Sequence, residues 1–462
     1  MRRGNGSTLR SETGTSLCRL VPVLLALLCI LPPRSPAYAE LVGHGGPVHA
    51  IAVSDDGETA LTAGFDYSVI HWDLAAEKAL TLMYGHDAAV GDVAFVRQTG
   101  LAVSGGNDGA VYLWRIGEAE PLRVLHRHDG NVSAVAVSPD GDLIASAGFD
   151  GMVRISPVAG DAAPMVLKGH AGPVNAVLFT GDGERLLSAG YDGTIRLWTP
   201  ATQVSELFAE IGLPVNRLSL SPDGKTLVVA GTDEAVRLFD TESREERRFM
   251  LGHEAPVLSI AITPDGKRFA TGGARGQIVF WSLADGRPLK TLRGHKGPVW
   301  SVAFTPGGGQ LLSAGRDGRV IRWDLETGLQ VGDGHTEADT PYVPPGDALA
   351  ARGAKLFGTC AVCHTLTPDG GHRAGPTLYG VFGRRVGTVA GYPYSKALRE
   401  SDIIWNEQTI GALFEKGPQH VVPGTKMPLQ RLRSSDDRRA LLHFLRQALA
   451  FAERQAGQNK GE

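Results

Sequence analysis

Between residues 41 and about 331 the chain alternates apolar and polar positions in short runs, the period-two pattern of a half-buried β-strand. Turn signals cut the runs. Pro139-Asp140-Gly141, Pro222-Asp223-Gly224 and Pro264-Asp265-Gly266 separate a first strand from a second, and an Asp-Gly pair separates the second from a third. This unit returns every 42 residues, seven times. Beyond residue 346 the period changes. Leu441, Leu442, Phe444, Leu445, Ala448 and Leu449 recur at helical spacing as one buried face. Three helices are predicted there: one capped by Asp347 and running to about Phe357, one over 406–416 that ends before Gly417-Pro418, and one capped by Ser435 that reaches about Gln455. The 462 residues therefore read as multidomain: an all-β body over 40–331, a Pro-, Gly- and acid-rich linker over 332–347, an all-α domain over 348–456 and a short tail over 457–462.

Five of the seven repeats open with Gly-His, as Gly43-His44, Gly85-His86, Gly169-His170, Gly252-His253 and Gly294-His295, and most close on Trp. Counting from the His, a Ser or Thr stands 18 residues on, an Asp 22 on and a Trp 28 on. Four repeats keep the whole set: His44-Thr62-Asp66-Trp72, His86-Ser104-Asp108-Trp114, His170-Ser188-Asp192-Trp198 and His295-Ser313-Asp317-Trp323. The pattern resembles the WD40 family, whose repeats are propeller blades of four strands, so the resemblance implies a seven-bladed disc. It also implies that the set is a hydrogen-bonded tetrad. The histidines recur with the repeat and never cluster, which fits structure better than metal binding or catalysis. Three repeats depart. The third has Ser156 in place of Trp, the fifth keeps only Asp233, and the sixth has Arg275 in place of Asp. These blades are expected to rely on strand packing. The last blade takes its outer strand either from residues 41–42 or from residues 329–331. Arg154, Arg196 and Arg237 share one repeat position and could line a binding face.

Residues 1–39 read as a secretory signal. Arg2, Arg3, Arg10 and Arg19 precede an apolar run over 20–31, then Pro32-Pro33 and an Ala37-Tyr38-Ala39 cleavage site before Glu40. The run is too short for a membrane span, which takes roughly 20 residues. Of four cysteines, Cys18 and Cys29 lie in this leader, leaving Cys360 and Cys363 in the mature chain with no structural disulfide to compete for them. Charge divides: residues 40–345 hold 25 basic and 38 acidic side chains, and residues 346–462 hold 16 and 10. No basic footprint for nucleic acid results. An acidic body on a basic domain can dock on itself or steer partners of opposite sign.

Cys360-Ala361-Val362-Cys363-His364 is the pattern that attaches haem covalently, with the thiols on the porphyrin vinyls and the adjacent His on the iron. Met427, within Pro423-Gly424-Thr425-Lys426-Met427-Pro428, lies 63 residues beyond His364 and offers a thioether as second axial ligand. Gly353 and Phe357 before the motif, Gly375-Pro376 after it, Arg384 within Val381-Phe382-Gly383-Arg384, and Tyr394 and Trp405 set 11 apart complete a pattern over nearly the whole domain. This stretch resembles a class I cytochrome c of the mitochondrial and bacterial c2 kind. The resemblance implies one haem c, axial ligands His364 and Met427, a haem environment of Pro376, Arg384, Tyr394, Trp405 and Thr425, and a crossing of the first and last helices at Gly353 and Phe357. Leu413 and Leu398 stand where the family often has Tyr and a polar residue. Lys355, Lys396, Lys416 and Lys426 could ring an exposed haem edge.

With both axial positions filled, the iron is built for electron transfer rather than substrate binding. The expectation is an exported, periplasmic electron carrier of a Gram-negative type of bacterium, not an enzyme. Its propeller docks protein partners and its haem exchanges electrons with a protein donor and acceptor. Two alternatives stay open: a part of an oxidoreductase whose propeller holds a second cofactor, and a redox-sensing scaffold.

Overall fold

The computed structural model describes residues 40–331, 342–361, 363–367, 373, 375–392, 394–425, 427 and 430–458. The leader over 1–39, most of the linker and Lys426 lie outside them. Among the described residues, 28 strands form seven antiparallel sheets of four. The first is Val48–Val53, Thr59–Gly64, Ser68–Asp73 and Lys78–Tyr84, from the inside outward. Innermost strands of successive sheets touch, and the seventh touches the first, so the ring is closed. Closure uses both candidate segments. Glu40–Leu41 pairs with Ile321 and Val320 in the last blade, and Gln330 bridges Trp323 further along the same edge.

Every innermost strand slips register after its first residue. The bulge turns one side chain toward the next blade. Asn175 and Asn216 donate from Nδ2 to the carbonyls of Val215 at 2.9 Å and Val257 at 2.8 Å, and the Ser133 hydroxyl donates to the Val174 carbonyl. These contacts sew neighbouring blades together around the axis.

The four complete sets are tetrads. In the first blade the Thr62 hydroxyl accepts from Trp72 Nε1 at 2.7 Å and meets His44 Nε2 at 2.6 Å, while His44 Nδ1 lies 3.0 Å from Asp66. The blades of Trp114, Trp198 and Trp323 repeat this geometry. Each member is satisfied, so burial leaves no orphan. The Gly before each His belongs to the same device. A Cβ on Gly43, Gly85, Gly169, Gly252 or Gly294 would sit 2.4–3.0 Å from the tip of that blade's indole. Where the indole is missing, with Ser156 and Phe239, the Gly is missing too, replaced by Arg127 and Glu210.

The departing blades are not held by packing alone. In the third, His126 stands in for the indole: Nδ1 bonds the Ser156 hydroxyl and Nε2 the Ser146 hydroxyl, both at 2.7 Å, and Ser146 also meets His128 Nε2 at 2.7 Å. In the fifth, Arg237 reaches Asp233 at 2.6 Å and lies over the Phe249 ring. The sixth keeps His253–Thr271–Trp281, while Arg275 turns outward to Glu254. Arg154 and Arg237 therefore do not form a binding face. They turn inward onto Asp150 and Asp233, and Arg196 bonds Ser205.

The helical domain holds α1 (Ala348–Ala361), α2 (Lys396–Arg399), α3 (Glu407–Lys416), α4 (Pro418–Val421) and α5 (Ser435–Gln458). Asp347 caps α1 through the Ala350 N–H, 2.8 Å, and its other oxygen meets His443 of α5 at 2.7 Å. α1 continues past Phe357 and carries Cys360 on its last turn. Asn406 and Thr409 form a reciprocal capping box on α3. The hydroxyl that caps α5 is Ser434, accepting from Asp437 N, rather than Ser435. Tyr342 stacks on Phe451 at 4.0 Å and Val343 packs on the domain's core, so residues 342–347 belong to this domain and not to the linker. α1 crosses α5 at Gly353, where a Cβ would fall 2.1 Å from the Ala440 carbonyl, and Phe357 meets Phe444 at 5.4 Å.

Ser188→Ala removes one hydroxyl that serves both Trp198 and His170. It is expected to cost about 2–4 kcal/mol, measured by urea unfolding followed through tryptophan fluorescence. Acid should loosen the propeller. Burial lowers His126 to about 3, with His128 and Arg154 adding to it, and burial lowers His49 and His253 to about 4. The unfolded chain binds these protons near pH 6.5, the folded chain only near 3–4. Stability therefore falls as pH drops from 6.5 toward 4. His126→Leu should flatten that slope, read from unfolding midpoints across the range.

Candidate metal centre

The end of α1 and the turn that follows set the two thiols and the imidazole. The N–H groups of Cys363 and His364 both bond the Cys360 carbonyl, at 3.0 and 2.9 Å. Both cysteines are free and buried, and burial pushes the Cys360 thiol up to about 11 and the Cys363 thiol up to about 12. Desolvation lowers the pKa of His364, which keeps its ring neutral. Its Nδ1 donates to the Pro376 carbonyl at 2.7 Å. That bond fixes tautomer and ring plane and assigns Nε2 to a ligand. Gly375 makes the approach possible, because a Cβ there would lie 2.3 Å from His364 Cε1.

A pair of extended segments carries the next two groups. Val386 N bonds the Ile403 carbonyl at 2.8 Å, Trp405 N the Arg384 carbonyl at 2.9 Å, and Gly383 N the Trp405 carbonyl at 2.8 Å. The Arg384 guanidinium donates to the carbonyls of Tyr379 at 2.7 Å and Thr377 at 2.8 Å, which locks it in place. Beyond α4, the Thr425 hydroxyl accepts from Met427 N at 3.2 Å.

These elements enclose one cavity of about 470 Å³. Cys360, Cys363, His364, Pro376, Arg384, Tyr394, Trp405, Thr425 and Met427 all line it, so the structure brings these nine residues to one place. Leu398 and Leu413 line it too, with Phe357, Val381, Phe414 and Leu441. Two thiols, a neutral imidazole with one nitrogen already engaged, a thioether and apolar walls suit a covalently held haem, with a cation and two aromatics for its acidic edge.

Of the four lysines expected around an edge, Lys396 lines the cavity, whereas Lys355 and Lys416 are exposed elsewhere on the domain. The cavity also takes residues that sequence reasoning missed. Gln430 lies 3.5 Å from the Cys360 sulfur, and Tyr392 joins the wall. From the propeller come Gly45, Asp66, Tyr84, Ala119 and Glu120. Only a faint signal marked Tyr84: before Gly-His the repeats carry Val42, Lys168, Leu251 or Arg293, and tyrosine once.

Known proteins match the two parts separately. The model described as "WD domain, G-beta repeat" matches seven times, over residues 36–73, 77–115, 119–155, 164–199, 206–240, 244–282 and 286–324. The cytochrome c model matches residues 350–449. The cytochrome c of Gossypium barbadense is 43% identical over 108 residues, 23% of this chain and 95% of that protein. That of Ginkgo biloba is 42% identical over 106 residues, 23% of this chain and 91% of its own length. That of Cochliobolus lunatus is 46% identical over 99 residues, 21% and 91%. All three relatives are eukaryotic.

Gly375→Ala is expected to push the His364 ring out of place and abolish normal haem attachment, seen as haem per polypeptide after maturation. Gly353→Ala should instead part α1 from α5 and lower the domain's unfolding midpoint, because backbone rather than a movable side chain stands in the way.

Proposed function

We propose a function from one premise: the chain belongs to the WD-repeat family, and its carboxy-terminal domain is a cytochrome c, with one covalent haem c as its cofactor. On that premise the protein is an exported electron carrier of the c2-like kind, and its propeller docks the protein partners with which it exchanges electrons. Once bound, the haem supplies a one-electron couple between Fe(III) and Fe(II). Cys360 and Cys363 would hold it covalently through their sulfurs. His364 would offer Nε2 from a ring held by Pro376, and Met427 its sulfur from the loop that Thr425 braces. With an imidazole and a thioether both supplied by the chain, the residues would hold a redox couple rather than a substrate. Arg384, Tyr394 and Trp405 would meet its acidic groups, and Leu398 and Leu413 would add apolar wall.

The observation that carries this reading is the meeting of all nine residues on one cavity with that donor set. An exported setting agrees with the leader read over 1–39 and with covalent tethering, which prevents loss of the cofactor. Among the described residues no helix is long and apolar enough to cross a membrane.

Cofactor analysis of the matured full chain tests the reading. One haem per chain, resistant to acid extraction and freed of that resistance in Cys360→Ala/Cys363→Ala, is the expected result. A second organic cofactor or metal would instead favour a catalytic propeller. Met427→His should lower the midpoint potential, since a thioether favours Fe(II) more than an imidazole does.

A further inference from the structure

We infer that the first two blades of the propeller complete the haem crevice, and that Asp66 and Tyr84 of the first blade are haem-site residues that set the reduction potential from outside the cytochrome domain. The inference rests on the haem site proposed above. Five propeller residues line the cavity together with the nine residues of the helical domain; of these five, Asp66 carries the buried charge and Tyr84 the ring, while the charge of Glu120 is exposed to solvent. Tyr84 ends the outer strand of that blade, and its hydroxyl lies 3.3 Å from that of Tyr392. The Tyr392 ring meets the Tyr394 ring edge-on at 4.7 Å, so a row of three phenols runs from the blade to the edge where Tyr394 stands. This row forms part of the crevice wall.

Asp66 is the turn carboxylate of the first tetrad, and its side chain is 4% exposed. His44 Nδ1 at 3.0 Å, Gly45 N at 2.7 Å and the Ser68 hydroxyl at 2.7 Å all converge on it. Burial alone would favour the acid, but His44 and these donors outweigh it and hold the group as a carboxylate. A fixed negative charge beside a poorly solvated site stabilises the ferric form, which carries one more positive charge, and so lowers the potential. The phenols act oppositely: they exclude water, which favours the ferrous form.

Blade 2 supplies an internal control. Asp108 holds the same tetrad position, with His86 Nδ1 at 3.0 Å and Asp87 N at 2.9 Å, yet it does not line the cavity. Asp66→Asn and Asp108→Asn inflict the same lesion on two blades, and of the two carboxylates Asp66 alone lines the crevice. Spectroelectrochemical titration of the full-length matured chain separates the cases. Asp66→Asn is expected to raise the ratio of reduced to oxidised haem at fixed potential by up to about ten-fold, which is about 59 mV for one electron. Asp108→Asn should leave it unchanged. Tyr84→Leu, which borrows the residue found at Leu251, should lower the ratio and speed reduction by ascorbate, and it carries the test alone if Asp66→Asn does not fold. Equal shifts in the two Asn variants, or haem-loaded Asp66→Asn and Tyr84→Leu with wild-type potential, would overturn the inference. A wild-type chain that matures without haem would overturn the haem reading itself.

Discussion

Everything in this protein turns on an imidazole whose Nδ1 is committed to an oxygen, so that Nε2 has a single task. In the four complete blades Nδ1 faces an Asp carboxylate and Nε2 faces a buried hydroxyl, which in turn accepts from an indole. In the helical domain Nδ1 of His364 faces the Pro376 carbonyl, which leaves Nε2 for a ligand. The same chemistry builds a rigid ring in one half of the chain and aims a ligand in the other. It requires burial in both places, because in water neither ring would hold its orientation. It also requires glycine beside it: Gly43 and its equivalents let the indole tip pass, and Gly375 lets the backbone lie against the His364 ring.

Much of this was legible in the chain, for local reasons. The spacing of His, Ser or Thr, Asp and Trp is set by strand length and turn type, so a fixed count of residues delivers each group to the same point of every blade. Cys360, Cys363 and His364 are likewise placed by one helix end. The groups that escaped detection depend on partners far off in sequence or on substitutions of unlike shape. His126 replaces an indole by coming from the outer strand of the preceding blade, not from the position of Ser156, so no single-column comparison of the repeats exposes it. Arg154 and Arg237 looked like surface charges because alternation places them on a strand face, while their length lets them fold back to the turn Asp. Ser434 and Ser435 are chemically identical candidates for a cap, and only the entry path of the chain chooses between them. The contact of Tyr84 with Tyr392 spans 308 positions and reflects how two folded units meet, which no periodicity encodes.

That contact changes the reading of the fusion. Opposite charge on the two halves had suggested either self-docking or steering of partners, and in the structure the propeller does lie against the cytochrome domain. The crevice is therefore an object of two domains. Its inner walls come from α1, α3, α5 and the intervening loops, and its outer wall comes from the first two blades. A propeller used this way is more than a handle for partners, because it sets how much water and how much charge the redox centre meets.

The central claim is that both axial positions of the haem are filled by groups of this chain. Adding carbon monoxide to the reduced, matured full-length protein at neutral pH and recording its absorption spectrum tests that most directly. The account predicts a spectrum that does not change. Rapid formation of a carbon monoxide adduct in the native protein would show an open or exchangeable coordination position and would contradict it.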